Sequence, residues 1–437
     1  MLKVLKFGGS SLSDAGQFKK VADIIRSDPA RRYVVVSAPG KRGPHDEKIT
    51  DLLLQCFRLI RDRRSIDETF EKITSRYDEI VAGLGLDISL KEEYDGIRAA
   101  ILHHADPEYI TSRGEYLSAR LMAQYLDFPF IDAEDCIFFN EDGTVDLEES
   151  IRVLKNLFTM YDYAVIPGFY GQFPDGSIET FSRGGSDITG SIVAAAANAD
   201  VYENWTDVSG MLMADPRIVD DPKTIEEITY RELRELSYMG ATVLHDEAIF
   251  PVRKAHIPIN IRNTNIPDNP GTMIVPKAQS NVVDTIITGV AGKRGMTAIN
   301  IEKDMMNSEI GFGKKVLEVL EEHGLSFEHL PSGIDTMTVI INSASLIECK
   351  GALTAEIVKK VNPDSITVTE NLALIAVVGR GMIGTVGSAA RVFSALSQHG
   401  VDVKMIDQGS SQLSVIIGVD EKKYEDAIRA IYDAFVK

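Results

Sequence analysis

The sequence predicts an α/β protein: a largely parallel sheet covered by helices on both faces, followed by two small α+β modules. Three observations carry this. Through the first two-thirds of the 437 residues, short apolar runs alternate with segments of helical period, the pattern of parallel strands buried on both faces. A Pro-, Gly- and Asn-rich passage, Asn265 to Gly271, then interrupts the alternation. Beyond it the chain repeats itself at a shift of 76 residues.

Taken in order, Met1 to Leu5 is an apolar strand-like run, and Ala15 to Ile25 has helical period. Tyr33 to Ala38 is a buried-strand pattern closed by Pro39-Gly40. Asp51 to Arg64 and Asp67 to Gly83 read as helices, Tyr163 to Phe169 and Val201 to Trp205 as further strands. The passage from Asn265 to about Thr288 is the expected boundary, giving domains 1–288 and 289–437. In the second, Gly311–Ile341 overlays Gly387–Ile417, with repeat units at about 300–345 and 372–420. Each unit reads as a strand, a helix ending in His-Gly (His323-Gly324, His399-Gly400) and two strands, the glycine being a helix C-cap.

Gly379-Arg380-Gly381-Met382-Ile383-Gly384 formally matches a dinucleotide fingerprint. Only 53 residues follow it, too few for a Rossmann domain, and its repeat partners Lys303, Met305 and Ser308 are not glycines. It reads as a decoy.

Composition narrows the function. The length allows two to four domains at about 100–200 residues each. The balance of 46 Lys and Arg against 65 Asp and Glu gives −19, which disfavours nucleic acid and anionic membranes as partners. Three scattered cysteines, Cys56, Cys136 and Cys349, fit a reducing compartment and offer no structural metal site. With no signal-peptide pattern and no membrane-length apolar run, a cytoplasmic location is expected.

Two glycine clusters carry the chemistry. Arg183-Gly184-Gly185-Ser186-Asp187 stands before an Ala-rich helical segment, where backbone N–H groups suit an anion and the Arg fork matches a carboxylate or phosphate. Lys6-Phe7-Gly8-Gly9-Ser10-Ser11 ends the first strand as a phosphate-cradling turn would, yet it is no P-loop.

These segments, with Gly114-Glu115, Trp205-Thr206-Asp207-Val208-Ser209-Gly210 and Asp215-Pro216-Arg217, occur in an order that resembles the amino acid kinase family, and within it the aspartokinases. The C-terminal repeat resembles a tandem pair of ACT domains; a duplicated dimerisation module without ligand is the plainer alternative. The resemblance implies phosphoryl transfer from ATP, with Mg²⁺, to the side-chain carboxylate of L-aspartate. It implies that Lys6 neutralises the transferring group, that Gly8, Gly9 and Ser10 contact phosphates, and that Asp187 holds Lys6. Arg183 would grip the substrate carboxylate and Glu115 its ammonium group, with Ser37, Thr50 and Ser186 as further contacts. Thr50 reads almost equally as a plain helix N-cap, and Glu115 alone would read as a solvated acid. Thr206 and Asp207 would flank the adenosine and Arg217 the phosphates. Leu212 and Thr242 stand where relatives carry a tyrosine and a lysine near the nucleotide; His245 reads as structural. Lysine or threonine would bind at Met305, Asn307, Ser308, Gly311, Phe312, Ser332 and Asp335, the last two placed on the strand pair after the helix. A homodimer or dimer of dimers through the repeat is expected. The chain ends before a fused homoserine dehydrogenase would fit. Glutamate, N-acetylglutamate or a nucleotide as acceptor, or a non-catalytic amino-acid sensor, stay open as alternatives.

Overall fold

The computed structural model describes residues 1–182, 184–241, 244, 247–278 and 285–436. The chain forms two compact units. The first comprises Met1–Met211, Thr224–Tyr230 and Val243–Ala278; the second comprises Leu212–Lys223, Arg231–Thr242 and Gln279–Lys437. Two short excursions, 212–223 and 231–242, thus group with the C-terminal part.

In chain order the first elements are β1 (Lys3–Phe7), α1 (Ala15–Arg26), β2 (Arg31–Val36), α2 (Ile49–Arg61), α3 (Asp67–Leu84), α4 (Lys91–Leu102) and α5 (Pro107–Leu126). Next come α6 (Leu147–Met160), β3 (Ala164–Pro167), β4 (Tyr170–Gln172), β5 (Ile178–Thr180), α7 (Gly185–Ala196) and β6 (Val201–Thr206). Then follow β7 (Glu227–Thr229), α8 (Tyr230–Tyr238), α9 (Phe250–Lys254), β8 (Ile259–Asn263) and β9 (Thr272–Val275).

A seven-stranded sheet in the order β3-β2-β1-β6-β8-β9-β7 organises the first unit. All its neighbours are parallel except β8 and β9. The Asn265–Gly271 passage is the turn that reverses the chain between those two strands. Side chains alternate across a strand, so Leu5, Phe7, Val34 and Val36 enter one core with α1 to α5. Lys6 and Val35 belong to the opposite face, where α7 packs on β1 and β2. The central strands are buried on both faces, which is why they read as near-continuous apolar runs.

The second unit continues with β10 (Gly289–Glu302), α10 (Phe312–Glu322), β11 (Thr336–Asn342), α11 (Ser343–Leu346) and α12 (Lys350–Val361). The second repeat supplies β12 (Ser365–Val378), α13 (Ser388–Gln398), β13 (Val403–Asp407), β14 (Ser414–Asp420) and α14 (Tyr424–Val436). Both repeats share one antiparallel sheet, β11-β10-β12-β14-β13. Gly324 and Gly400 both sit at φ 64°, the left-handed C-cap that the His-Gly pairs predict. The repeats differ in one strand: β13 is continuous, whereas its counterpart is reduced to single bridges at His329 and Ser332. The glycine decoy opens a short 3-10 turn, and its Arg380 grips the fully buried Glu232 through amide and guanidinium, each at 2.9 Å. The segment is structural.

Candidate active site

Two glycine turns, distant in sequence, meet at the end of β1. Lys6 is the fourth residue of that strand, directly opposite Asn204 on β6. Its ammonium lies 2.7 Å from Asp187 in the first turn of α7. The Asn204 amide donates to the same Asp187 oxygen at 2.7 Å. Lys6 is only 8% exposed, so the cation is held in a fixed position with a charge-assisted partner. Gly184 caps α7 in the left-handed region, φ 57°, a conformation available to glycine without Cβ strain. Its carbonyl accepts from the Asp187 amide at 2.9 Å, and the Asp187 side chain meets β1 and β6 through Lys6 and Asn204.

The β1 turn is built by close approach to the turn after β2. The Gly8 amide donates to the Trp205 carbonyl, and the Gly40 amide to the Gly9 carbonyl at 2.8 Å. A Cβ on Gly9 would stand 2.8 Å from the Ala38 oxygen, and one on Gly40 only 2.6 Å from the Gly9 carbonyl carbon. Both positions need glycine for space. Beside this contact lies a cavity of about 460 Å³ lined by Gly9, Ser10, Ser37, Thr50, Glu115 and Asp207, with Lys41 and Lys48.

Glu115, on α5, is 5% exposed, and its Oε2 finds no hydrogen-bond partner. Burial pushes its pKa up to about 8, against partial relief from the Ala38 amide, its own amide and the Arg113 charge. A buried carboxyl with an open acceptor suits a ligand that brings a cation.

A model of the amino acid kinase family matches residues 1–263, and an ACT domain model matches 375–435. Aspartokinase 3 of Bacillus subtilis is 42% identical over 452 residues, covering 99% of this chain and 98% of that protein. The chain belongs to the amino acid kinase family, among its aspartokinases. The crystal structure of Clostridium acetobutylicum aspartate kinase superposes with a TM-score of 0.89 at 50% identity, covering 99% of each chain. E. coli aspartokinase III, solved with aspartate and ADP, shares the fold at 24% identity and a TM-score of 0.74, over 99% of each chain. A second E. coli aspartokinase III structure holds lysine and aspartate.

Within this aspartokinase frame, eight sequence candidates gather at the strand ends: Lys6 and Asp187 as an ion pair, and the six that share the cavity. Gly8 lies between them, its missing Cβ 3.6 Å from the Lys6 ammonium. Ser186 is 9% exposed at the start of α7. Thr206 donates to the Asp207 carboxylate at 3.2 Å. Arg183, Thr242 and His245 lie outside the described residues. Leu212 and Arg217 belong to the second unit, where the exposed Arg217 holds Asp215 at 2.6 Å. Thr50 is not a helix cap; Lys48 occupies that position, and Thr50 sits inside the first turn facing the cavity. Sequence reading missed Asn204, Lys41 and Lys48. Asn204 had a usable signal, standing one residue before the Trp205-Thr206-Asp207 motif.

In the second unit, Met305 (φ 62°) and Gly311 (φ 83°) are both left-handed, flanking a 3-10 turn that leads into α10. Met305 N–H donates to Asp335 Oδ1 at 3.0 Å, and Asn307 N–H to the Ile334 carbonyl at 3.1 Å. Ser308 N–H is taken by the Met305 carbonyl, and Phe312 is buried. The expected strand pair is reduced to β11 and isolated bridges. Ser332 is bridged to Met337 of β11, whereas Asp335 lies in the tight turn between them, closed by Gly333 N–H to the Thr336 carbonyl. Among the described residues, no helix is long and apolar enough to cross a membrane.

Proposed function

We propose that the chain transfers the γ-phosphoryl group of ATP to the side-chain carboxylate of L-aspartate, giving 4-phospho-L-aspartate and ADP. The observation that carries this reading is the convergence of the two glycine turns on the Lys6–Asp187 pair. A carboxylate oxygen attacks the γ-phosphorus while its bond to the bridging oxygen of ADP breaks. Aspartate is already ionised at neutral pH, with a reference pKa of about 3.9, so no general base is needed. The obstacle is electrostatic, and positioned charge is the remedy.

On this reading Lys6 stabilises charge on the transferring group, and Asp187 keeps its ammonium in place. Gly8, Gly9 and Ser10 cradle phosphates; Glu115 takes the aspartate ammonium group, with Ser37, Thr50, Ser186 and Arg183 as its other contacts. Thr206, Asp207 and Arg217 serve the nucleotide, at positions 212 and 242 with a leucine and a threonine. Asp187 offers the hard oxygen donor that Mg²⁺ takes; the ion, when bound, would neutralise phosphate charge.

Residues 1–288 carry the chemistry on this proposal and 289–437 its control, through effector binding at the Met305–Asp335 turn and pairing of subunits through the repeat. Lysine, present in the E. coli relative's structure, is the first effector to test, with threonine. Trapping aspartyl phosphate as its hydroxamate tests the activity. Wild-type protein with ATP and aspartate should give the hydroxamate, and Lys6→Ala should not. No product from wild type, or equal product from both, overturns the proposal.

A further inference from the structure

The loop between β2 and α2 carries more charge than its length requires, and the structure sorts that charge in two. Arg42 bonds Glu79 at 2.8 Å, Glu47 pairs with Lys72 at 3.3 Å, and Asp46 takes both oxygens' worth of bonds from Arg76, at 2.7 and 2.8 Å. Lys72, Arg76 and Glu79 lie at helical spacing along α3, so one face of that helix binds the loop. Lys41 and Lys48, at the loop's two ends, pair with no acid of the described residues. Both line the cavity that holds Ser10, Thr50 and Glu115.

Arg76 does more than hold Asp46. It is 4% exposed, and its other amino group donates to the Gly40 carbonyl at 3.1 Å and the Ser13 carbonyl at 3.3 Å. One guanidinium therefore ties the charged loop to the turn after β2, through Gly40, and to Ser13 just beyond the turn after β1. Burial opposes ionisation of Asp46, but the Arg42 amide and side chain and the Arg76 charge outweigh it and bring its pKa down to about 2. The clamp stays charged across the neutral range.

We infer that Lys41 and Lys48 are additional cations for the polyphosphate of the nucleotide, and that Arg76 and Asp46 are positioning residues that hold them at the cavity. The inference rests on the aspartokinase reading and adds residues to it. Lysine is a compact, rotatable charge suited to tetrahedral phosphates, whereas a planar carboxylate is better matched by arginine. In a chain of net charge −19, two unpaired lysines at an anion cavity raise local nucleotide concentration.

Steady-state kinetics on Lys41→Ala, Lys48→Ala and the double variant reads this directly. The double variant should raise KM for ATP about three- to tenfold, modest because both lysines are exposed. KM for aspartate and kcat should stay within about twofold. Unchanged KM for ATP, or a rise in KM for aspartate instead, overturns the assignment. Asp46→Asn and Arg76→Lys should each raise KM for ATP in the wild-type background and add nothing in the double-lysine background. Additive effects would make the clamp merely structural and overturn its positioning role. Should Arg76→Lys fail to fold, Asp46→Asn carries that comparison alone. Calorimetric titration with ADP keeps this test separate from the activity itself. Weaker ADP binding by the lysine variants supports the inference whatever carboxylate accepts the phosphate; equal binding refutes it.

Discussion

With Glu115 as the proposed partner of the aspartate ammonium group, aspartate use should depend on pH in a calculable way. The Glu115 carboxyl is pushed from an ordinary 4.5 to about 8 by burial. At pH 7 about nine in ten empty sites then hold it protonated. An arriving ammonium group favours the carboxylate, so binding must expel the proton. Apparent affinity for aspartate should therefore improve about tenfold per pH unit from pH 6 towards 8 and level off above it. Initial rates at saturating ATP, with aspartate varied between pH 6 and 9, measure this as KM. Glu115→Gln should bind aspartate poorly and show a flat profile.

The same shift governs stability, with a definite sign. A folded pKa above the unfolded one means that the native state binds more protons between pH 4.5 and 8. Stability therefore falls as pH rises through that window, by about 3–5 kcal/mol at pH 8 for the unliganded protein. Glu115→Gln should lose this dependence and unfold later than wild type at pH 8. A wild-type KM for aspartate that ignores pH, or a slope that Glu115→Gln shares, would refute the reasoning.

Lys6→Ala should lower kcat about 10²- to 10³-fold with near-normal circular dichroism, since it removes a preorganised charge at the reacting centre. Gly40→Ala should cost about 1–3 kcal/mol in denaturant unfolding and reduce kcat, because its Cβ would stand 2.6 Å from the Gly9 carbonyl carbon. Asp335→Ala removes the acceptor of the Met305 amide, and the half-inhibitory concentration of lysine or threonine should rise about two- to tenfold in a dose-response assay.

Much of the fold was legible because burial on both faces leaves strands such as Tyr33–Val36 almost wholly apolar. The glycine turns were legible for a related reason: where two backbones approach as Gly9 and Gly40 do, only one residue type fits. The grouping of 212–223 and 231–242 with the C-terminal unit was not. Its anchor, Glu232 with Arg380, joins positions 148 apart in the chain, and no local period encodes such a partner. Asp335 was misplaced because a two-strand pattern does not reveal where the first strand, which survives only as isolated bridges, gives way to the turn before β11.

Lys41 and Lys48 were invisible for a reason that bears on how the site handles charge. A lysine in a polar loop reads as any solvated lysine until its neighbours' charges are accounted for, and here α3 takes both acids of the loop, Asp46 and Glu47. On the proposed roles the two kinds of cation do different work. Lys6 is buried and fixed by Asp187 and Asn204, so it meets developing charge without reorganising, which is where electrostatic catalysis is strongest. Lys41 and Lys48 are exposed and screened by salt; on the inference above such charges act on encounter and retention. On that division, raising ionic strength should weaken nucleotide binding while leaving the turnover of the bound complex nearly constant. A single class of cation at the site would lower both together.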